Sequence, residues 1–404
     1  MARTRLASDK VFDEWMARNN QRIGEILIPE VGEYPPTLEN FYGSLMNEWV
    51  TTDLIRHYAD GIGDRNPLWR NHDYARKTRW GGIVAPPTVT DAIVQPYPYK
   101  QEPEEFKKFN GFYTLPNGTR RELYKPIRPG DRLRTIRRYL GIQEIETTRP
   151  EPVREFDEVV QRQIINQREE VVAVVYNHVV QILNHDFTPE NPIYRKRHRR
   201  RLTDEERDAI YRGYDNEKWR GAETRFWEDV LVGDEVKLHT IGPYTVYDVA
   251  AFYTVMSGHA VAFELEWERI KLNFDFAFLD PEVNAWTCGG VCHFEDNKGP
   301  HSQLWANGYA AGFYAQMEGL LGRMITSWAG DDGSLRVLDT RVPCYPMVGD
   351  VFHCKGRVVN KLVVNSEYLV DLDVVCEDYD GIPLVVGTAR VQLPSKVDFQ
   401  GLRY

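Results

Sequence analysis

The chain has 404 residues, long for one domain and natural for two. Hydrophobic residues make up 42% and charged residues 27%, enough apolar mass for sizeable cores. A net charge of −10 argues against a general nucleic-acid binder, which needs a basic surface to displace phosphate counterions. No apolar run reaches the roughly 18 residues that a membrane span needs, and the N-terminus lacks the apolar stretch of a signal peptide. A soluble cytoplasmic protein with neither a membrane nor a nucleic-acid partner is expected.

At the N-terminus Phe12, Trp15, Met16, Ile23 and Leu27 fall at helical spacing, which predicts an amphipathic helix ended by Pro29, Pro35 and Pro36. An internal repeat follows. Residues 53–64 (Asp-Leu-Ile-Arg-His-Tyr-Ala-Asp-Gly-Ile-Gly-Asp) and 248–259 (Asp-Val-Ala-Ala-Phe-Tyr-Thr-Val-Met-Ser-Gly-His) each read as a short helix closing on glycine, at an offset of 195 residues. Pro126-Ile-Arg-Pro-Gly-Asp131 and Cys344-Tyr-Pro-Met-Val-Gly-Asp350 repeat at an offset of 219, so the second half carries about 24 extra residues between the landmarks. After each Gly-Asp pair the pattern predicts three strands. The last two are Val159–Ile165 and Val171–Ile182 in the first half, and Glu367–Cys376 and Pro383–Leu393 in the second.

Each half is therefore an α+β layer in which an antiparallel sheet wraps a buried helix. Ala85–Gln95 and Gly312–Trp328 are the helices expected inside; the second has a broad apolar face. Between the halves the chain turns polar, with an Arg-Lys-Arg-His-Arg-Arg-Arg run over 195–201 and a helix opening at Thr203 with Asp204, Glu205 and Glu206 in its first turn. The run reads as a solvated linker, with a nuclear signal or an RNA patch as the alternative. The expected divisions are 1–37, an N-terminal helical extension; 38–185, the first domain; 186–225, the charged linker; and 226–396, the second domain.

All five cysteines lie in the second half, and an odd number in a chain of this size argues against a disulfide framework. The cluster Cys288-x-x-x-Cys292-His293 has a gap of three and no second pair, so reduced cysteines are expected rather than a metal. No cofactor is implied.

The segment Gly63-Asp-Arg-Asn-Pro-Leu-Trp-Arg-Asn-His-Asp-Tyr-Ala75, followed by Trp80-Gly-Gly-Ile-Val-Ala-Pro-Pro-Thr88, resembles the MaoC-like dehydratase family. Pro126–Asp131, Arg220-Gly-Ala-Glu223, Trp227–Asp234 and Trp328–Gly333 extend the resemblance over roughly residues 38–395. It implies two fused hot-dog domains, joined edge to edge into one sheet, and an acyl-CoA thioester as substrate. The implied reaction adds water reversibly across an α,β double bond. In that family an Asp and a His five residues apart serve as base and acid, and a backbone N–H at the start of the buried helix steadies the enolate-like oxygen. The basic linker is then open to a further reading, as a partner for CoA phosphates.

The sequence departs from the family pattern in both halves. Asp64 and Asn66 match, but Trp69 holds the histidine slot and Asn71 replaces an aspartate. An indole cannot shuttle a proton, so Asp64 and Asn66 are expected to brace a turn. In the second half His259 falls in the Asp slot, and Cys292-His293-Phe294-Glu295-Asp296 best matches the histidine slot. His293 is the first candidate for the catalytic imidazole and His301, after Pro300, the second, with Glu295, Asp296 or His259 as partner. A composite site using Asp64 across the pseudo-dimer is also open. Asn66, Trp69, Gly82, Gly312, Phe313 and Gln316 are the candidate substrate-binding residues. A thioester-binding protein without catalysis, or a hydrolase on the same scaffold, is the competing expectation. Further assembly into a homodimer is expected, since two-fold pairing is the commonest oligomer.

Overall fold

The computed structural model describes residues 6–28, 47, 49–93, 112–147, 153–184, 197, 199–255, 264, 267, 277–280, 284–288 and 314–397. The first helix, α1 (Ala7–Asn20), buries Phe12 and Trp15 against Phe112, Ile142, Phe156 and Leu183. It is shorter than the apolar spacing predicted. Gly24 sits at φ +90°, outside the helical region, and turns the chain into β1 (Ile26–Ile28), which pairs with β3 (Arg134–Ile145). Ile23 and Leu27 therefore do not extend the helix.

Both repeat helices form. In α2 (Thr52–Gly61) the Thr51 hydroxyl caps the Leu54 N–H at 3.0 Å. The equivalent α6 (Val246–Tyr253) opens on a capping box between Thr245 and Asp248. The two pack on each other, with the Tyr58 and Phe252 rings 5.9 Å apart. Gly61 makes the approach possible: a Cβ there would lie 3.0 Å from the Phe252 Cα. Short helices α3 (Pro67–Arg70) and α4 (His72–Arg76) follow α2. In the linker α5 (Asp204–Asp215) is held by a Thr203–Glu206 capping box.

The remaining strands of the first half are β2 (Phe112–Leu123), β4 (Val153–Ile165) and β5 (Val171–Asn184). The second half contributes β6 (Glu235–Lys237), a separate hairpin of β7 (Ala277–Asp280) and β8 (Ala285–Cys288), then β9 (Ser334–Arg341), β10 (His353–Val364), β11 (Glu367–Glu377) and β12 (Pro383–Gln392). Among the described residues ten strands form one antiparallel sheet in the order β1-β3-β4-β5-β2-β9-β12-β11-β10-β6. The halves join at β2 and β9 through three residue pairs, Arg120↔Asp339, Arg121↔Leu338 and Glu122↔Val337. Fusion thus pairs the strand edge that each half would otherwise leave open.

One long helix, α7 (Tyr314–Ala329), lies inside, packed on β6 and β9 to β12. Met317, Leu320, Leu321, Met324 and Ile325 are buried in a core that runs through both halves. Gly319 and Gly322 let the first half come close: a Cβ would stand 2.5 Å from Ile62 Cγ2 and 2.8 Å from Thr88 Cγ2. Where Ala85–Gln95 predicts a matching helix in the first half, none forms over the described residues 85–93. Only a 3-10 turn, Pro87–Asp91, is formed there. The Tyr58 hydroxyl donates to the Thr88 carbonyl at 2.8 Å, and β-branched Thr88, Val89 and Thr90 favour helix poorly.

A buried ion network ties the halves together. Arg121 on β2 donates to Asp91 at 2.7 Å and to Glu318 of α7 at 2.6 Å. Glu318 also accepts from Thr119 at 3.1 Å and meets the Thr340 hydroxyl. Burial pushes the Glu318 carboxyl up. Burial opposes the Arg121 charge, but Asp91 and Glu318 outweigh it and hold the guanidinium pKa above its ordinary value.

Candidate functional site

In the first half the candidate residues come together at the end of α2. The Asp64 N–H donates to Ala59 O at 2.7 Å, which sets the turn. The buried Asp64 carboxylate then accepts from the Asn66 N–H at 2.9 Å through one oxygen and from Trp69 Nε1 at 2.9 Å through the other. Trp69, in the slot where a histidine was expected by resemblance, thus donates to the same carboxylate a histidine would face. Burial raises the Asp64 pKa; the Arg323 charge and the two donors pull against it. Asn66 caps α3 by accepting from the Leu68 N–H at 3.0 Å. Asn71 caps α4, accepting from Asp73 and Tyr74, which explains an asparagine there. Gly82 lies in a half-buried bend.

The second-half candidates His259, His293, Glu295, Asp296, His301, Gly312 and Phe313 lie outside the described residues. Gln316, in the first turn of α7, is described and buried. Its amide donates to Gly61 O at 2.6 Å and Asp248 O at 3.1 Å, and its oxygen accepts from Tyr244 at 2.6 Å. Gln316 thereby staples α2, α6 and α7 together, with both amide protons engaged.

A cavity of about 370 Å³ opens beside it. The Gly61–Gly63 backbone forms one wall, Pro243, Tyr244 and Phe352 another, and Met317 and Leu320 of α7 a third. Across its polar end the side chain of Glu217, itself buried, accepts from Arg323 at 2.5 Å and from Arg65 at 3.2 Å. His239 Nδ1 stands 3.8 Å from Glu217, and burial holds the imidazole pKa below its ordinary value. The cavity thus offers apolar walls, one carboxylate between two guanidiniums, and a neutral imidazole just behind them.

Sequence reasoning missed Glu217, His239, Tyr244 and Arg323. Arg323 had a readable signal, a charge on the apolar face of a helix. Glu217 and His239 sit in unremarkable polar surroundings and meet Arg323 only through the fold.

A second cavity, of about 270 Å³, opens on the other side of the first-half loop, where Trp69, Trp80 and Pro86 face Ile325 and Asp331 at the end of α7. Cys354 and Cys376 are buried thiols paired directly across β10 and β11. Among the described residues no group of three or more His, Cys, Asp or Glu could hold a metal ion. No described helix is long and apolar enough to cross a membrane.

Residues 41–175 match the family model of the FAS1-like dehydratase domain region. No curated protein's sequence matches the chain. Among solved structures, a MaoC-like dehydratase is similar over 94% of this chain and 100% of its own, with TM-score 0.57 and 16% identity. A MaoC domain dehydratase protein from Chloroflexus aurantiacus J-10-fl is similar over 93% of this chain and 96% of its own, with TM-score 0.53 and 12% identity. A conserved hypothetical protein from Mycobacterium tuberculosis with a double hotdog fold covers 92% and 96%, with TM-score 0.50 and 10% identity. At these identities the likeness to solved structures speaks for the fold, and the family model speaks for the first half. The chain has the double hot-dog fold of these structures, and residues 41–175 match the FAS1-like dehydratase domain region.

Proposed function

We propose that the chain is a hydro-lyase that adds water to, or removes it from, an acyl-CoA thioester, acting in the cytoplasm as a homodimer. The observation that carries the reading is the cavity beside Gln316, which is walled mainly by apolar groups and lies where α6 and the first turns of α7 meet the first-half loop. In the first half both Asp64 oxygens already hold donors, and Trp69 has no proton to exchange at neutral pH. Proton transfer is therefore assigned to the second half. His293, with His301 as the alternative, takes a proton from water as its oxygen joins Cβ; the conjugate acid returns a proton to Cα. His259 or Glu295 would orient the imidazole. Backbone N–H groups at the start of α7, where the helix dipole is positive, suit the oxyanion of the thioester.

The test is hydration of a panel of enoyl-CoAs, followed by loss of the enoyl absorbance, for wild type and folded His293→Ala, His301→Ala and Asp64→Asn. His293→Ala should lower turnover by roughly a hundredfold or more. Unchanged rates in both histidine variants with an inactive Asp64→Asn would move the chemistry to the first half.

The Trp69–Asp64 hydrogen bond supports a second reading, a thioester-binding partner without catalysis. No turnover of any thioester, hydrolysis included, with acyl-CoA binding intact, would favour it.

A further inference from the structure

The linker does more than join the halves, because part of it walls the cavity beside Gln316. It is tied at two places. Glu206 of α5 accepts from the Tyr379 hydroxyl at 2.6 Å, and Gly221 O accepts from the Asp331 N–H at 2.9 Å. Between these ties the chain passes the polar end of the cavity, where Tyr214 and Glu217 line it. Residues 217–220 have neither helical nor strand structure, so side chains hold this stretch in place. Arg323 donates to Glu217 at 2.5 Å; Arg65 donates to Tyr214 O and Glu217 and lies 5.2 Å from the Trp219 ring. The Tyr214 hydroxyl accepts from the Gly242 N–H at 2.7 Å and donates to Gly242 O at 3.0 Å.

This closed arrangement carries a cost. Trp219 Nε1, His239 Nε2 and Arg323 Nε are buried without a hydrogen-bond partner, and each would gain one from water if the stretch moved away. A proton on His239 makes closure costlier still. The charges facing the imidazole are Glu217, 3.8 Å from Nδ1, and the guanidiniums of Arg65 and Arg323; the Tyr214 ring meets it edge-on at 5.3 Å. Glu217 is already shared between the two guanidiniums. Protonation would add a third cation around one carboxylate and turn Nε2 into a buried donor with no acceptor. Burial, the largest cause, and the two guanidiniums hold the imidazole pKa below its ordinary 6.5 against the pull of Glu217. The cavity is also small for its proposed ligand: about 370 Å³ lies near the bottom of the roughly 300–1,000 Å³ range of small-molecule pockets.

We propose that residues 214–219 form a strap over this cavity, latched by Glu217 on Arg323 and released when His239 takes up a proton. Release hydrates the unpartnered groups and widens the cavity on the Arg65 side. The closed form holds the His239 proton less tightly than the open form does, so closure is fully favoured above the ordinary pKa of 6.5 and weakens as pH falls below it. The cavity's role as a substrate site rests on the hydro-lyase reading, whereas the strap is read without any substrate, so either can fail alone.

The measurement is hydrogen exchange of the full chain by mass spectrometry, on peptides spanning 214–220 and Gly242, corrected for the intrinsic pH dependence of exchange. Exchange there should rise by up to about tenfold between about pH 7.5 and pH 5.5, the factor that one pH unit below the ordinary imidazole pKa allows. Peptides from β11 and β12 should stay unchanged. His239→Asn, which takes up no proton in this range, should lose the rise, and Glu217→Gln should speed exchange at both pH values; melting curves confirm that the variants fold. If His239→Asn does not fold, His239→Gln takes its place. Wild-type exchange indifferent to pH, a rise that persists without the imidazole, or an equal rise in β11 and β12 overturns the proposal. Exchange at 214–220 as fast as in an unstructured peptide at pH 7.5 overturns it as well, since no closed strap would then exist.

Discussion

The carboxylate of Asp64 is held by a backbone N–H on one side and the indole of Trp69 on the other, with almost no solvent contact. Removing one donor leaves a buried oxygen without its bond, a loss of about 1–3 kcal/mol. Trp69→Phe should therefore lower the unfolding free energy by that amount in a denaturant titration. The same site predicts a pH dependence. Burial raises the folded pKa of Asp64 above its ordinary 3.8, so the folded chain holds this proton more tightly than the unfolded chain does. The stability this contributes is complete below 3.8 and is lost as pH rises through the folded value. Asp64→Asn does not titrate and should flatten that part of the stability–pH curve; an unaltered slope would refute the assignment. At this scale the sequence was partly legible. Asp64 and Asn66 read as braces of a turn, and the missing histidine was visible, but the capping roles of Asn66 and Asn71 were not read. Nor was it visible that the indole would occupy the carboxylate, because the pattern records which residue fills a slot and not which way its N–H points.

Among the elements α7 is the most informative, because it carries charge into the core. Arg121 faces two carboxylates, Asp91 and Glu318, so the buried network has one acid more than it has cations. Removing the cation leaves two buried acids without a partner, which costs about 3–5 kcal/mol. Removing the excess acid leaves a balanced pair. Arg121→Met should thus cost several kcal/mol while Glu318→Gln stays within about 1 kcal/mol of wild type. Comparable losses in the two variants would show that Glu318 is ionised and needed. The three strands after each Gly-Asp pair were readable from alternation and β-branching, and their turns from polar runs; β2 and β9, which join the halves, were not read. Over residues 85–93 the expected helix at Ala85–Gln95 gives way to a 3-10 turn, where β-branched Thr88, Val89 and Thr90 disfavour the helix and the distant Tyr58 hydroxyl donates to the Thr88 carbonyl. That contact is 30 residues away in sequence, beyond the reach of any local pattern.

For the whole molecule the repeat announced two related halves, and their meeting in a single sheet follows from the open edge each would present alone. Coexpressing residues 1–190 and 197–404 as separate chains should therefore give a complex that copurifies, while either piece alone aggregates. Two independently soluble pieces would show that the shared sheet is dispensable. The homodimer expected from symmetry would appear in light scattering as a particle of twice the 47.0 kDa chain mass.

The strand pair that joins the halves also sets a timetable for the ribosome. β2 ends at Leu123 and its partner β9 begins only at Ser334. At roughly 5–20 residues per second, that gap takes on the order of 10–40 s to synthesise. Throughout it the β9-facing side of β2 waits unpaired on a nascent chain, and for most of it the carboxylate that Glu318 brings to Arg121 has not yet been made. Demand for a holding chaperone is thus written into the order of the strands, and it grows with anything that slows translation between them.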